Sequence, residues 1–362
     1  MTDARWVLPL LLVGFLGSAS AGGPEAVEAL LGFDPVLLTE GKEVLGNEGI
    51  SLTREGFRYH FANAKNKSTF MGDPERYGIQ MGGLCARLGE SVPGAPDMYT
   101  VHAGRIYLVA SEECRELFEA TPSKYLEPEP PLFPSTADTV KKGRELIQKA
   151  VEATGGAHAI DSLASYEAVG TVTDASGDRR IKTTFTILFP DHLRLERDIP
   201  NYGSIATIVV GNDAFEIRPT EVRVFSEAQR VNFRKTMTRN VLSSLQARNE
   251  PEYSAVYTGS EEINEKRVGK VAVDFGGQFL TLGIEATTGR VSTLAYLGRG
   301  PEGDYGQVVQ TLSDHRTING VTLPFRTSTT FNGQPVPQMS FTAESITLNG
   351  EVSTEVFERP TD

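Results

Sequence analysis

Residues 56–77, GFRYHFANAKNKSTFMGDPERY, return forty-eight positions later as GRIYLVASEECRELFEATPSKY, residues 104–125, with no gap between the copies. A repeat of this kind constrains the fold before composition is considered. Each copy has to be one supersecondary unit that buries its apolar face against a neighbour. In each, a strand carrying Tyr59 or Tyr107 runs into a polar helix cap, Asn63 or Ser111, and then into a short helix. Seven residues past the cap comes Phe70 or Phe118, two turns along on the buried face. Pro74 or Pro122 then stops the helix, because proline disfavours helical geometry in the residue before it. Gly56 and Gly104, Ala62 and Ala110, and Tyr77 and Tyr125 are also identical at this offset. Every shared position is a strand, turn, core or stop position, so the duplication specifies a fold and no chemistry. Cysteine occurs only with the second copy: Cys114 inside it and Cys85 in the stretch that leads into it.

The first 21 residues read as a secretory leader: Arg5, an apolar run from Trp6 to Leu16, and the small-residue close Ala19-Ser20-Ala21. Cleavage is expected after Ala21, which makes the mature chain an exported, periplasmic protein. The apolar run is short of the ~20 residues that span a bilayer, and no transmembrane segment is expected in the mature chain. Formal net charge is -12, a balance that repels nucleic acid and anionic lipid surfaces, so no nucleic-acid partner is expected.

At 362 residues the chain exceeds what one hydrophobic core supports. The break falls at EPEPPLFPS, residues 127–135, where prolines at 128, 130, 131 and 134 give a stiff, extended linker. Beyond it, STADTVKKGRELIQKAVEATGG reads as an amphipathic helix, with Ser135 and Asp138 at capping-box spacing, Val140, Ile147, Val151 and Thr154 on one face, and Gly155-Gly156 as its end. From Ser165 the pattern is strand, as in IKTTFTILF, where Ile181, Phe185 and Ile187 alternate with Lys182, Thr184 and Thr186. Asn319-Gly320, Asn332-Gly333 and Asn349-Gly350 suit two-residue hairpin turns. One helix is expected over residues 226–246, opened by Ser226 and Gln229, with Phe233, Met237, Val241 and Leu245 in one row. The expected class is α+β: a small duplicated strand-helix domain over residues 26–126, then an antiparallel incomplete β-barrel with two helices over 136–362. An antiparallel sheet of that length has an inner face to bury, either under helices or around an apolar ligand.

The first region resembles the YHS domain, through FDPV at 33–36, YHF at 59–61, DPERY at 73–77 and QMGGLCA at 80–86, then GRIYLVASEEC and PSKY. The resemblance implies a small strand-and-helix module of a type found in metal-handling and exported proteins, with cysteines near the Asp-Pro-Val element and at the strand-to-helix junction. The offset of forty-eight places Leu37 opposite Cys85 and Asn66 opposite Cys114, while the third cysteine position of the family is Ala62 or Ala110. The second region, residues 138–360, looks like the LolA type of periplasmic carrier, through AVEATGGAHAIDSLASYEAVGTV, the meander, and INGVTLPFRTSTTFNGQ to EVFERP. That resemblance implies an incomplete β-barrel with helices across its mouth and an apolar, lipid-like ligand.

Three readings of Cys85 and Cys114 stay open: a disulfide, which in an oxidising compartment would close a loop of about 30 residues and contribute roughly 3 to 4 kcal/mol; a metal-thiolate pair completed by His102, Met81, Met98 or His60; and unlinked buried thiols. No cofactor is required, and a soft ion such as copper or zinc is the candidate if there is one. His60, set among core positions, reads as a packing residue. No HExxH, GxSxG, P-loop or GxGxxG pattern is present, and Asp314 and His315 are adjacent on a strand and therefore face apart. The expectation is a non-catalytic exported protein that binds an apolar or lipid-like ligand. The alternatives are a metal-handling protein or a structural protein that docks an envelope partner.

Overall fold

A computed structural model describes residues 26–174, 177, 179–263 and 265–360 of the chain. The leader and its cleavage site lie outside the described residues. No helix among those described is long and apolar enough to cross a membrane.

Both copies of the repeat build the same unit. The hairpin Asn47–Arg54 and Phe57–Phe61 feeds the helix Ala64–Gly72, and the hairpin Tyr99–His102 and Arg105–Leu108 feeds the helix Glu112–Ala120. At the two hairpin turns Glu55-Gly56 and Ala103-Gly104 take positive φ at both positions, which is what a type I′ turn demands. The caps Asn63 and Ser111 share φ -158° and ψ 166°, and each side chain accepts the N–H three residues on, from Asn66 and Cys114. Phe70 and Phe118 are fully buried, 4.9 Å from Tyr59 and 5.3 Å from Tyr107 between ring centres. Gly46 and Gly94, again forty-eight apart, let the entering chain lie against the second strand: a Cβ on either would come within 2.4 Å of His60 or Leu108.

Past the linker the chain forms a 14-stranded antiparallel sheet. Its strands are β1 (Ser165–Thr173), β2 (Arg180–Leu188), β3 (His192–Ile199), β4 (Gly203–Val210), β5 (Asp213–Ile217), β6 (Val222–Val224), β7 (Ser254–Ile263), β8 (Lys266–Phe275), β9 (Gln278–Glu285), β10 (Val291–Arg299), β11 (Tyr305–Ile318), β12 (Val321–Phe331) and β13 (Phe341–Leu348), with the two-residue Gln334–Pro335 appended to β12. The spatial order is β6-β5-β4-β3-β2-β1-β13-β12-β11-β10-β9-β8-β7. The chain thus starts in the middle, walks to one edge at β6, crosses to the far edge at β7 and walks back to pair β13 with β1. An open sheet this wide has to curl. Among the described residues its edges β6 and β7 do not pair, so the barrel is incomplete.

The crossover carries helices, and they pack on one face. Phe233 and Met237 lie on Leu193, Val209 and Ala214. Leu242 lies on Val321, Leu323, Phe325 and Ala343. The long helix Ala137–Thr154 lies on β7, β8 and their neighbours, with Leu146, Ile147, Ala150 and Val151 against Val271, Val273, Leu280, Leu282 and Leu294. Gly143 allows that closeness, since a Cβ there would come 2.5 Å from the Ala255 carbonyl oxygen.

Three local expectations are corrected. The long helix is capped by Thr136, not Ser135: Thr136 accepts from the Thr139 N–H at 3.2 Å, and the Thr139 hydroxyl accepts from the Thr136 N–H at 2.8 Å. Residues 226–246 form two helices, Glu227–Thr238 and Val241–Gln246, because Asn240 serves both ends. Its amide donates to the Met237 carbonyl at 2.7 Å and its oxygen accepts the Ser243 N–H at 2.8 Å. Asn349-Gly350 makes no hairpin. Asn349 instead accepts the Ala164 N–H at 2.8 Å, tying the end of β13 to the start of β1.

The twin roles of the two phenylalanines give a direct check. Phe70→Ala and Phe118→Ala should each destabilise the N-terminal region by about 3–5 kcal/mol, and to the same extent, as read from urea unfolding midpoints of that region. Unequal effects beyond the fitting error would show that the copies do not share one packing scheme.

Candidate functional site

Side-chain orientation alternates along each strand, so the helix-bearing face leaves a second face on the other side of the sheet. On it the register aligns Thr281 with Ala295 and Ala295 with Val309, flanked by Phe279, Leu297 and Thr311. The proline linker runs past this face. Between them lies a cleft of about 610 Å³, walled by Pro128, Pro130, Pro131 and Phe133 on one side and by Phe279, Ala295, Leu297 and Val309 on the other. Phe279 and Leu297 stay 38% and 36% exposed, an apolar surface that the linker bridges without sealing.

At one end the cleft wraps round to the crossover helix and the helix-bearing face, where Lys235, Arg239, Gln278, Leu280 and Tyr296 line it, and Lys270 lines it too. Lys235 pairs with Glu127 of the linker at 3.1 Å, Lys270 with Glu261 at 2.6 Å, and Arg239 donates to Gln278 at 3.3 Å while lying 4.9 Å over the Tyr296 ring. The cleft is therefore amphipathic, with an apolar floor and cations held by carboxylates at its margin. A second, much smaller space lies on the helix-bearing side. Where Ala153, Leu242, Leu312 and Leu323 meet, the void is about 30 Å³, room for a single water. The larger of these two spaces is the one bounded by the proline linker.

The linker is held in place by one arginine that no sequence pattern announced. Arg299, at the end of β10, reaches into the N-terminal region and donates to the carbonyls of Tyr125 at 2.9 Å and Arg87 at 3.5 Å and to that of Gly303, while lying 4.5 Å over the Tyr305 ring. Tyr125 closes the second repeat and Leu126 precedes the linker, so this contact fixes where the linker starts. Gly303 is required for the approach: it has φ +85°, and a Cβ would come within 2.2 Å of the Arg87 carbonyl oxygen.

Cys85 and Cys114 come together in one buried cluster with Tyr107, Phe118 and Tyr125, and the thiols are unlinked. The Cys85 sulfur accepts the Ala110 N–H at 3.3 Å. Burial pushes the Cys85 thiol up, opposed by N–H groups of Leu88, Ala110 and Arg87. The Arg87 guanidinium lies beside Cys114. His102 stands apart from the pair, edge-on to Phe118 at 6.2 Å. Met81 and Met98 pack against the cluster, and His60 contacts Glu28 at 2.9 Å in the first copy. Among the described residues no group of three His, Cys, Asp or Glu side chains is placed to hold a metal. Asp314 engages Arg316 at 2.7 Å and leaves His315 unpaired with it.

The sequence matches no protein-family model and no curated protein. Among solved structures it is similar to a LolA superfamily protein from Nitrosomonas europaea, at 13% identity over 60% of this chain and 97% of that one, with a TM-score of 0.41. A DUF1329 family protein from Desulfovibrio piger matches at 13% identity over 61% and 97%, TM-score 0.41. The lipoprotein LppX from Mycobacterium tuberculosis matches at 12% over 59% and 98%, TM-score 0.26. Likeness at this level assigns no ligand.

Arg299→Ala removes three carbonyl contacts, two of them to the N-terminal region, and a half-buried charge from the junction. With charged hydrogen bonds each contributing about 1.5–3 kcal/mol, the variant should be nicked within residues 127–135 roughly tenfold faster or more under limited proteolysis. An unchanged rate would mean that Arg299 does not set the linker.

Proposed function

We propose that the protein is an exported, non-catalytic binding protein that holds an apolar or lipid-like ligand between the proline linker and the helix-free face of β8 to β11. The carrying observation is the cleft of about 610 Å³, which falls within the ~300–1,000 Å³ of small-molecule sites and combines an apolar floor with a few polar groups. Phe279, Ala295, Leu297 and Val309 supply the floor. The linker prolines supply a wall that loses little entropy when the site fills, because their backbone is already restricted. Lys235, Arg239 and Lys270 suit an anionic head group on an otherwise apolar ligand, at the cost of displacing their present carboxylate or amide partners. Export rests on the leader, and a periplasmic location follows from it.

The test is direct titration with a fluorescent sixteen-carbon fatty acid. The purified mature chain should bind it saturably, and Ala295→Trp, which fills the floor, should weaken binding by about tenfold or more, the scale of a lost ~1.4 kcal/mol. Saturable binding that Ala295→Trp leaves intact would remove the cleft from the account, and no saturable binding by the parent chain would remove the ligand class.

A further inference from the structure

We propose that Cys85 and Cys114 form a reversible dithiol–disulfide site, placed by the repeat at a node where the first copy holds a carboxylate and an amide. The inference stands apart from the cleft and rests on a structural equivalence that differs from the gap-free alignment. The segment Leu30–Gly32 has Leu31 at φ 53° and Gly32 at φ 78°, and its counterpart has Gly82 at φ 60° and Gly83 at φ 80°. Superposing these turns sets Gly32 on Gly83, Leu37 on Leu88, and Asp34 on Cys85. The offset there is fifty-one, and it returns to forty-eight by Gly46 and Gly94. The first copy therefore carries three extra residues between Leu37 and Gly46. The earlier pairing of Leu37 with Cys85 is corrected accordingly.

The contacts repeat with the new register. Asp34 is fully buried, and its carboxylate accepts the N–H groups of Val36 at 2.9 Å, Leu37 at 3.2 Å and Ala62 at 2.7 Å, and the Asn66 side-chain amide at 2.8 Å. Cys85 is fully buried, and its sulfur faces the N–H groups of Arg87, Leu88 and Ala110, the equivalents of those same three donors. Cys114 stands where Asn66 stands. The fold thus brings these two side chains into contact in the first copy by hydrogen bond, and in the second copy it presents two thiols at the same meeting point. The N–H groups that face the Asp34 carboxyl in the first copy have their equivalents around the Cys85 sulfur in the second, and the Arg87 guanidinium lies beside Cys114.

The oxidant is a small-molecule disulfide such as oxidised glutathione. The Cys114 thiolate, on the slightly more accessible residue, attacks one sulfur of the oxidant; that S–S bond breaks and one thiolate leaves. The Cys85 thiolate then attacks the Cys114 sulfur, the mixed disulfide breaks, and the second thiolate leaves. Two electrons pass from the cysteines to the oxidant, and the two thiol protons pass to solvent.

The experiment equilibrates the mature chain in a series of reduced and oxidised glutathione ratios, quenches with acid, alkylates under denaturing conditions and reads the intact mass. The expected result is two populations, both thiols alkylated or neither, interconverting reversibly, with a peptide pair linking residues 85 and 114. Two alkylated thiols at every ratio, a persistent glutathione adduct, or a disulfide-linked dimer as the end product would overturn the proposal. A second chain, Asp34→Cys/Asn66→Cys on a Cys85→Ser/Cys114→Ser background, should show the same transition in the first copy. Its failure to crosslink while remaining folded by circular dichroism would break the equivalence on which the proposal stands.

Discussion

A sheet has two faces, and this chain owns enough helix to cover one of them. The crossover between β6 and β7 places two helices on the same side as the long helix after the linker, and together they bury the apolar rows of both halves of the sheet. Burial at about 25 cal/mol per Å² makes those rows the main source of cohesion. The other face is then left to whatever chain remains. Over the first half it is the C-terminal segment, whose Phe357 is buried against Ile208 and Phe215. Over the second half it is the linker, which approaches but does not fill. The cleft is the remainder of that division.

The linker keeps its distance from the sheet for two reasons visible in the structure. Its prolines cannot donate hydrogen bonds to a sheet edge or fold into a helix that would pack down. Its start is pinned by Arg299 through the Tyr125 carbonyl, and further along Glu127 meets Lys235. A flexible glycine-rich connector would carry no such geometry, and the apolar residues Phe279 and Leu297 would face solvent or the connector at random. The same arginine binds the repeat region to β10, so the duplicated module acts as an abutment for the cleft wall.

Much of this was readable from residues. Asn319-Gly320 and Asn332-Gly333 announced their turns because few other residues accept positive φ twice running, and the φ values of 49° and 84°, 48° and 79° agree. The same dipeptide misled at Asn349, where the side chain found backbone partners across the sheet and the turn was not made. Asn240 gave no sign that it would cap two helices at once, since a polar residue inside an amphipathic pattern has many uses. The paired rows of the helix-free face were present as Thr281, Ala295 and Val309, but small and β-branched residues there read as ordinary solvent-facing positions until a wall stood opposite. Arg299 sits in a glycine-rich turn region with no local periodicity, so its reach into the other domain was beyond sequence reasoning. The three-residue insertion after Leu37 could have been found from the identities Gly32 with Gly83 and Leu37 with Leu88, had the gap-free stretch not been extended past its start.

The central claim is that ligand occupies the helix-free face, and a positioned fluorophore can locate it. The only tryptophan, Trp6, belongs to the leader, so a mature chain carrying Leu297→Trp or Phe233→Trp has a single emitter on one face or the other. Titrating each with a brominated fatty acid, whose heavy atoms quench at contact, should darken Trp at 297 and leave Trp at 233 bright. Quenching at 233 with emission at 297 unchanged would put the ligand among the helices and contradict the account.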